Sequence, residues 1–193
     1  AAACAVATMG ALARAWLDWT RSLAFVPSRH NWLVFWGATA LALLIKGPIV
    51  PMVWGLAALV LSIRERSLRW FAPLRPGRGL LLCLVAVLPW FIAIALKSGG
   101  EFFAESVGKD MLGKVGEGQE KHWGPPGLYL LLFFGTYWPA AAFAAMAVPF
   151  AWARRREPQI LFLVAWILPS WLVFEAVPTK LPHYVLPLYP AIT

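Results

Sequence analysis

From Gly79 to Leu96 the chain carries no charged residue. At 1.5 Å per residue a helix of that length covers roughly 27 Å, enough for one bilayer crossing. The stretch belongs to a series. Apolar runs of helical length fall at about 1–13, 32–45, 49–63, 79–96, 128–152 and 160–174, and a further helix is expected to begin near Tyr184. Inside a bilayer every backbone polar group needs an internal partner, so such runs fold as helices. Hydrophobic residues make up 61% of the chain and charged residues 13%, with 12 Trp and 12 Phe, which is far more apolar than an ordinary soluble domain. The sequence therefore predicts an all-α, polytopic transmembrane helical domain, taken as a single partial domain over 1–193. It opens on Ala1 within an apolar run and stops at Thr193 within another, and so reads as a piece of a longer protein. The first run lacks a basic flank and leads into further spans, which is not the pattern of a cleavable signal peptide.

Two breaks interrupt the apolar pattern with a lysine. Lys46-Gly47-Pro48 separates the second and third runs, and Pro178-Thr179-Lys180-Leu181-Pro182-His183-Tyr184 follows the last long one. The runs around Lys46 form either one long tilted span or a tight helical hairpin. Gly47 before a proline is pushed out of the α region, and Pro48 suits the first turn of a new helix.

Charge favours the hairpin. In that topology the loops 14–31, 64–78 and 153–158 share one side, whereas Lys46, 97–126 and 175–183 share the other. All 11 arginines then fall on the first side and all 6 lysines on the second, with net charges of +8 and zero. By the positive-inside rule the arginine side is cytoplasmic. The formal +8 thus reports topology and contact with anionic headgroups of the lipid bilayer, and gives no reason to invoke nucleic acid.

The segment 97–126 is then an extracytoplasmic loop. Phe103, Val107, Met111 and Val115 recur at four-residue spacing, with Glu101, Glu105 and Lys109 on another face. That pattern predicts an interfacial helix, supported by a Glu105 to Lys109 pair. Gly113, Gly116 and Gly118 follow, ahead of Gln119-Glu120-Lys121-His122-Trp123. A loop of this length is more often functional than merely connecting.

Lys46-Gly47-Pro48-Ile49, Glu101-Phe102-Phe103, the run 120–127 and Lys180-Leu181-Pro182-His183-Tyr184-Val185-Leu186-Pro187 together resemble membrane glycosyltransferases of the GT-C type. The nearest likeness is to the lipid A aminoarabinose transferase and its relatives among the dolichyl-phosphate-mannose protein mannosyltransferases. The resemblance runs from about Trp32 to the end. It implies a partial GT-C-like membrane domain in the bacterial inner membrane, a polyprenyl-phosphate sugar donor, and an extracytoplasmic site that transfers the sugar to a glycolipid such as lipid A or to a protein acceptor. The family's catalytic acid lies in a first outer loop that has no match here, and Asp18 falls in a cytoplasmic loop, so the catalytic residue is expected outside this chain.

Within that frame Lys46 and Lys180 are the expected donor-phosphate ligands. Each could instead snorkel to the headgroups, but a lysine beside the free amides of a helix starting at Pro48 forms a ready anion site. Glu101, Glu120, His122, His183 and Tyr184 are the expected substrate contacts. Glu120 and His122 are two candidate metal ligands without a third, so a divalent metal is left open as a cofactor and no metal site is assigned. Trp123, Tyr129, Tyr137 and Trp138 fit an aromatic belt better than sugar stacking. Cys4 and Cys83 lie far apart in the pattern, and no disulfide is expected. No glycine-rich nucleotide loop occurs, which suits a donor already attached to a lipid. The alternative function is a transporter or flippase of a lipid-linked sugar, which would also use broken helices with a cation at the break.

Overall fold

A computed structural model describes residues 2–21, 30–98 and 124–192. The elements are α1 (Ala2–Thr20), α2 (Asn31–Lys46), α3 (Ile49–Glu65), a 3-10 turn (Arg69–Leu74), α4 (Pro76–Ser98), α5 (Leu128–Thr136), α6 (Ala140–Ala153) and α7 (Pro158–Ala176), followed by 3-10 turns at Pro182–Tyr184 and Leu186–Ala191. The expected interfacial helix, with Glu101, Glu120, His122 and Trp123, lies outside the described residues.

Among the described residues, two helices are long and apolar enough to cross a membrane, or three if the bent pair α5 and α6 is one span. The two are α4, with a mean hydropathy of 2.7, and α7, at 1.7. Most of each stays uncovered by the rest of the fold, and Leu81, Val85, Leu88 and Leu96 of α4 are exposed. Apolar surface of that extent is what a lipid-facing helix presents. Hydroxyls within the helices are paired locally: Thr8, Thr39, Ser98 and Thr136 each donate to the carbonyl four residues back at 2.8 Å. Such pairing satisfies these four hydroxyls where water is excluded, whereas the buried Ser170 hydroxyl of α7 has no hydrogen-bond partner.

The apolar run 128–152, read from the sequence as one segment, is two helices. α5 and α6 meet at 119° across residues 137–139. Pro139 has no N–H to continue the ladder, and the Tyr137 N–H closes α5 by donating to Phe133 O at 3.0 Å. The helix expected from Tyr184 onward is likewise short 3-10 turns, in keeping with Pro187 and Pro190. α1 runs to Thr20, so Asp18 sits on a helix.

Aromatic and small residues pack α1 to α3. Gly47, at φ 68°, takes a conformation that suits glycine and donates its N–H to Leu43 O at 3.0 Å, closing α2 so that α3 restarts at Ile49. α3 runs back alongside α2: the Trp36 indole donates to Leu74 O at 2.7 Å and the Arg75 guanidinium lies 5.8 Å from the Trp32 ring centre. The hairpin, not the single tilted span, is the arrangement adopted. Ala5 of α1, Ala42 of α2 and Val50 of α3 are buried together, small side chains that let membrane helices approach closely. Farther along, Asn31 donates to Ala11 O, and Trp16 meets Trp70 edge to face at 5.6 Å.

These contacts sort the ends of the bundle. Arg64, Arg66, Arg69, Arg75 and Arg78 lie where α3 ends and α4 begins, beside the start of α2. Lys46 lies at the other end of α2, near His183 and Tyr184. Because α7 starts right after Arg154, Arg155 and Arg156 and finishes near that lysine end, it carries the same polarity.

Candidate functional site

At the lysine end, Lys46, Ile49 and Val50 from the α2–α3 break, Ala2 from α1, and His183, Tyr184, Leu186 and Pro187 from the last turns line a small hollow of about 60 Å³. Lys46 is exposed and closes α2, where its charge suits the carbonyl end of the helix. The ammonium is left to face the hollow from an apolar rim. His183 sits edge to face against Tyr184 at 5.0 Å. Partial burial, and secondarily the Lys46 charge, push the His183 imidazole below its ordinary range. A neutral histidine, a tyrosine and a lysine around an open apolar hollow can hydrogen-bond an anion whose remaining body is apolar.

Lys180 is in different surroundings. It is 5% exposed, and its ammonium donates to Phe174 O at 3.0 Å, to Glu175 O, and to Glu175 Oε2 at 3.2 Å. An ammonium has three N–H donors, and here all three have acceptors. Lys180 is not among the residues lining the hollow. The structure thus brings Lys46, His183 and Tyr184 together and seats Lys180 behind them.

Glu175 and Tyr129 belong to this region as well. Glu175 Oε2 also accepts from Gly127 N at 2.9 Å, and Oε1 from Tyr129 N at 3.1 Å, so the carboxylate sits on the positive end of α5. The Tyr129 hydroxyl donates to Leu181 O at 3.2 Å and accepts from Leu181 N at 3.0 Å. Its ring centre lies 5.1 Å from the Lys180 ammonium, within cation–π range. Sequence reasoning passed over Glu175, yet a signal exists: between Pro158 and Thr193, Glu175 and Lys180 are the only charged residues. Two lone opposite charges in an otherwise uncharged membrane stretch are expected to pair.

No protein-family model matches the chain. It is 26% identical over 158 residues, 81% of its length, to an undecaprenyl phosphate-alpha-4-amino-4-deoxy-L-arabinose arabinosyl transferase of Pseudomonas aeruginosa (strain UCBPP-PA14), and 25% identical over 94% of its length to the enzyme of that name in Erwinia tasmaniensis. It spans 28% and 32% of those relatives. In fold it is similar to crystal structures of ArnT from Cupriavidus metallidurans. The apo form aligns with a TM-score of 0.74 at 23% identity, covering 96% of this chain and 33% of that one. The undecaprenyl phosphate-bound form aligns at 0.75 and 20% identity, covering 97% and 39%. The chain is therefore an all-α membrane domain, similar in sequence and in fold to about a third of the length of GT-C aminoarabinose transferases.

Proposed function

We propose that this chain is the part of a bacterial inner-membrane glycosyltransferase that holds the phosphate of a polyprenyl-phosphate sugar on the extracytoplasmic side. The observation that carries this reading is Lys46, at a helix break beside His183 and Tyr184, at the end of the bundle away from the arginines. The relatives named for an undecaprenyl phosphate-linked sugar and the ArnT structure bound to undecaprenyl phosphate support the donor class. The positive-inside rule supports the side.

In the transfer, the bond between the anomeric carbon and the phosphate oxygen breaks, and that carbon bonds to an acceptor oxygen. The acceptor's proton passes to a base contributed from outside these residues. The departing polyprenyl phosphate gains negative charge, which Lys46 stabilises increasingly toward the transition state. His183 and Tyr184 orient the phosphate. Lipid A, another glycolipid or a protein is the acceptor, and exposed apolar helix faces accommodate the polyprenyl chain.

The test is sugar transfer from a polyprenyl-phosphate sugar by the full-length protein in vesicles, wild type against Lys46→Ala. Transfer that depends on Lys46 supports the reading. Movement of the lipid-linked sugar across the bilayer without transfer would replace it with the flippase alternative.

A further inference from the structure

The segment that carries His183 and Tyr184 is fastened from three directions. Glu175 at the end of α7 joins the Lys180 ammonium to the first N–H groups of α5. Tyr129 of α5 grips both backbone groups of Leu181 through its hydroxyl. Gly124 N donates to Pro178 O at 3.3 Å. A Cβ at Gly124 would lie 2.7 Å from Lys180 Cγ and 2.5 Å from Leu128 Cδ2, so the lysine stem and the 124–128 backbone approach as only glycine allows. Three residues after Lys180, the chain turns into the hollow.

For Lys180 to meet a phosphate it would have to leave Glu175 and two carbonyls, stranding acceptors in a poorly solvated place. Withdrawing one partner of a buried pair is strongly unfavourable. The same bonds explain the burial of both charges without any ligand.

We propose that Lys180 and Glu175 are a positioning pair that holds His183 and Tyr184 opposite Lys46, and that Lys180 makes no contact with the donor. The proposal rests on the reading of the hollow as a phosphate site. It divides the two lysines that look alike in sequence: Lys46 faces the anion, and Lys180 sets the geometry around it.

The test uses the full-length protein in vesicles, with undecaprenyl phosphate as the binding probe, and compares Glu175→Gln, Lys180→Met and their double variant with wild type. Misplacement of positioning groups can cost about a hundredfold in function, so each single variant is expected to weaken probe binding about tenfold or more. The double variant should be no worse than the poorer single. A direct lysine contact gives a different result: Glu175→Gln, which removes a negative charge near an anion, would bind as well as wild type or better, and that outcome overturns the proposal. Tyr129→Phe, which alters no charge, guards against a misfolded Lys180→Met and should weaken binding several-fold; normal binding by both it and Glu175→Gln would sink the idea. The His183 titration, followed by NMR with labelled histidine, is a second readout. In Glu175→Gln it should rise toward the ordinary imidazole range as the ring leaves Lys46 and its partial burial, and an unchanged titration contradicts the pair's role. If wild type fails to bind the probe, the donor reading falls, and the His183 titration still decides whether the pair positions the segment.

Discussion

The Trp36 indole donates a 2.7 Å hydrogen bond to the carbonyl of Leu74, tying the early part of α2 to the turn that follows α3. That bond closes the helical hairpin around Lys46. It also puts the arginines of 64–78 at the end of the bundle opposite the lysine, so that one buried bond links topology to the site. Cys83 approaches the backbone carbonyl of Trp36 at 3.6 Å, and Gly79 abuts the indole itself, which adds α4 to the same joint.

Trp36→Phe should therefore destabilise the domain by about 1–3 kcal/mol, since Leu74 O would be left buried without its donor. Gly79→Ala should be at least as damaging, because the new methyl would sit 1.9 Å from the indole nitrogen. Thermal unfolding of the detergent-solubilised protein measures both. Unaltered midpoints would show that the joint is not what holds the hairpin.

The segregation of charge predicts sidedness. In a full-length protein lacking Cys4 and Cys83, a cysteine at Gly118 should react with a membrane-impermeant thiol reagent in intact cells. A cysteine at Gly77, where an added side chain meets open space, should react only after lysis. The reverse pattern would move the hollow to the cytoplasmic side and remove the proposed function.

Lys46→Ala should lower sugar transfer by about a hundredfold or more, the usual consequence of removing a charge that stabilises a developing anion, while membrane insertion stays intact. Lys46→Arg should restore transfer only in part, since a planar fork does not reproduce a compact ammonium. Near-normal transfer by the alanine variant would count decisively against the anion site.

His183 supplies a pH signature. Partial burial and the Lys46 charge lower its folded-state pKa beneath the unfolded value of 6.5. Between those two values the unfolded chain binds more protons, so stability rises with pH across the window and is lost as pH falls through the folded-state pKa. Replacing Lys46 by Met should raise the His183 titration modestly, because burial is the larger cause. Bound undecaprenyl phosphate should raise it further by bringing a negative charge alongside. An NMR titration of His183 with and without the lipid checks both signs, and a fall on lipid binding would place the phosphate elsewhere.

Much of this fold is legible in the residues because membrane helices are dictated locally. An apolar run must satisfy its own backbone, a Gly-Pro pair at 47–48 must break it, and Pro158 begins α7 at its first position after Glu157. The partition of arginine from lysine likewise needs only the order of the runs. What the sequence left open depends on direction and on distant partners. No charge interrupts 128–152, so it reads as one apolar run; Pro139 can break it, but nothing local sets the 119° bend between α5 and α6. Lys46 and Lys180 look equivalent in sequence, each at a proline-marked break. Only packing separates them, because the groups beside Lys180 include Tyr129 and Gly127 from a helix start some fifty residues earlier, together with the nearby Glu175. A charge deprived of water takes whichever acceptors the tertiary fold brings within reach, and those acceptors make one lysine a strut and leave the other facing the hollow.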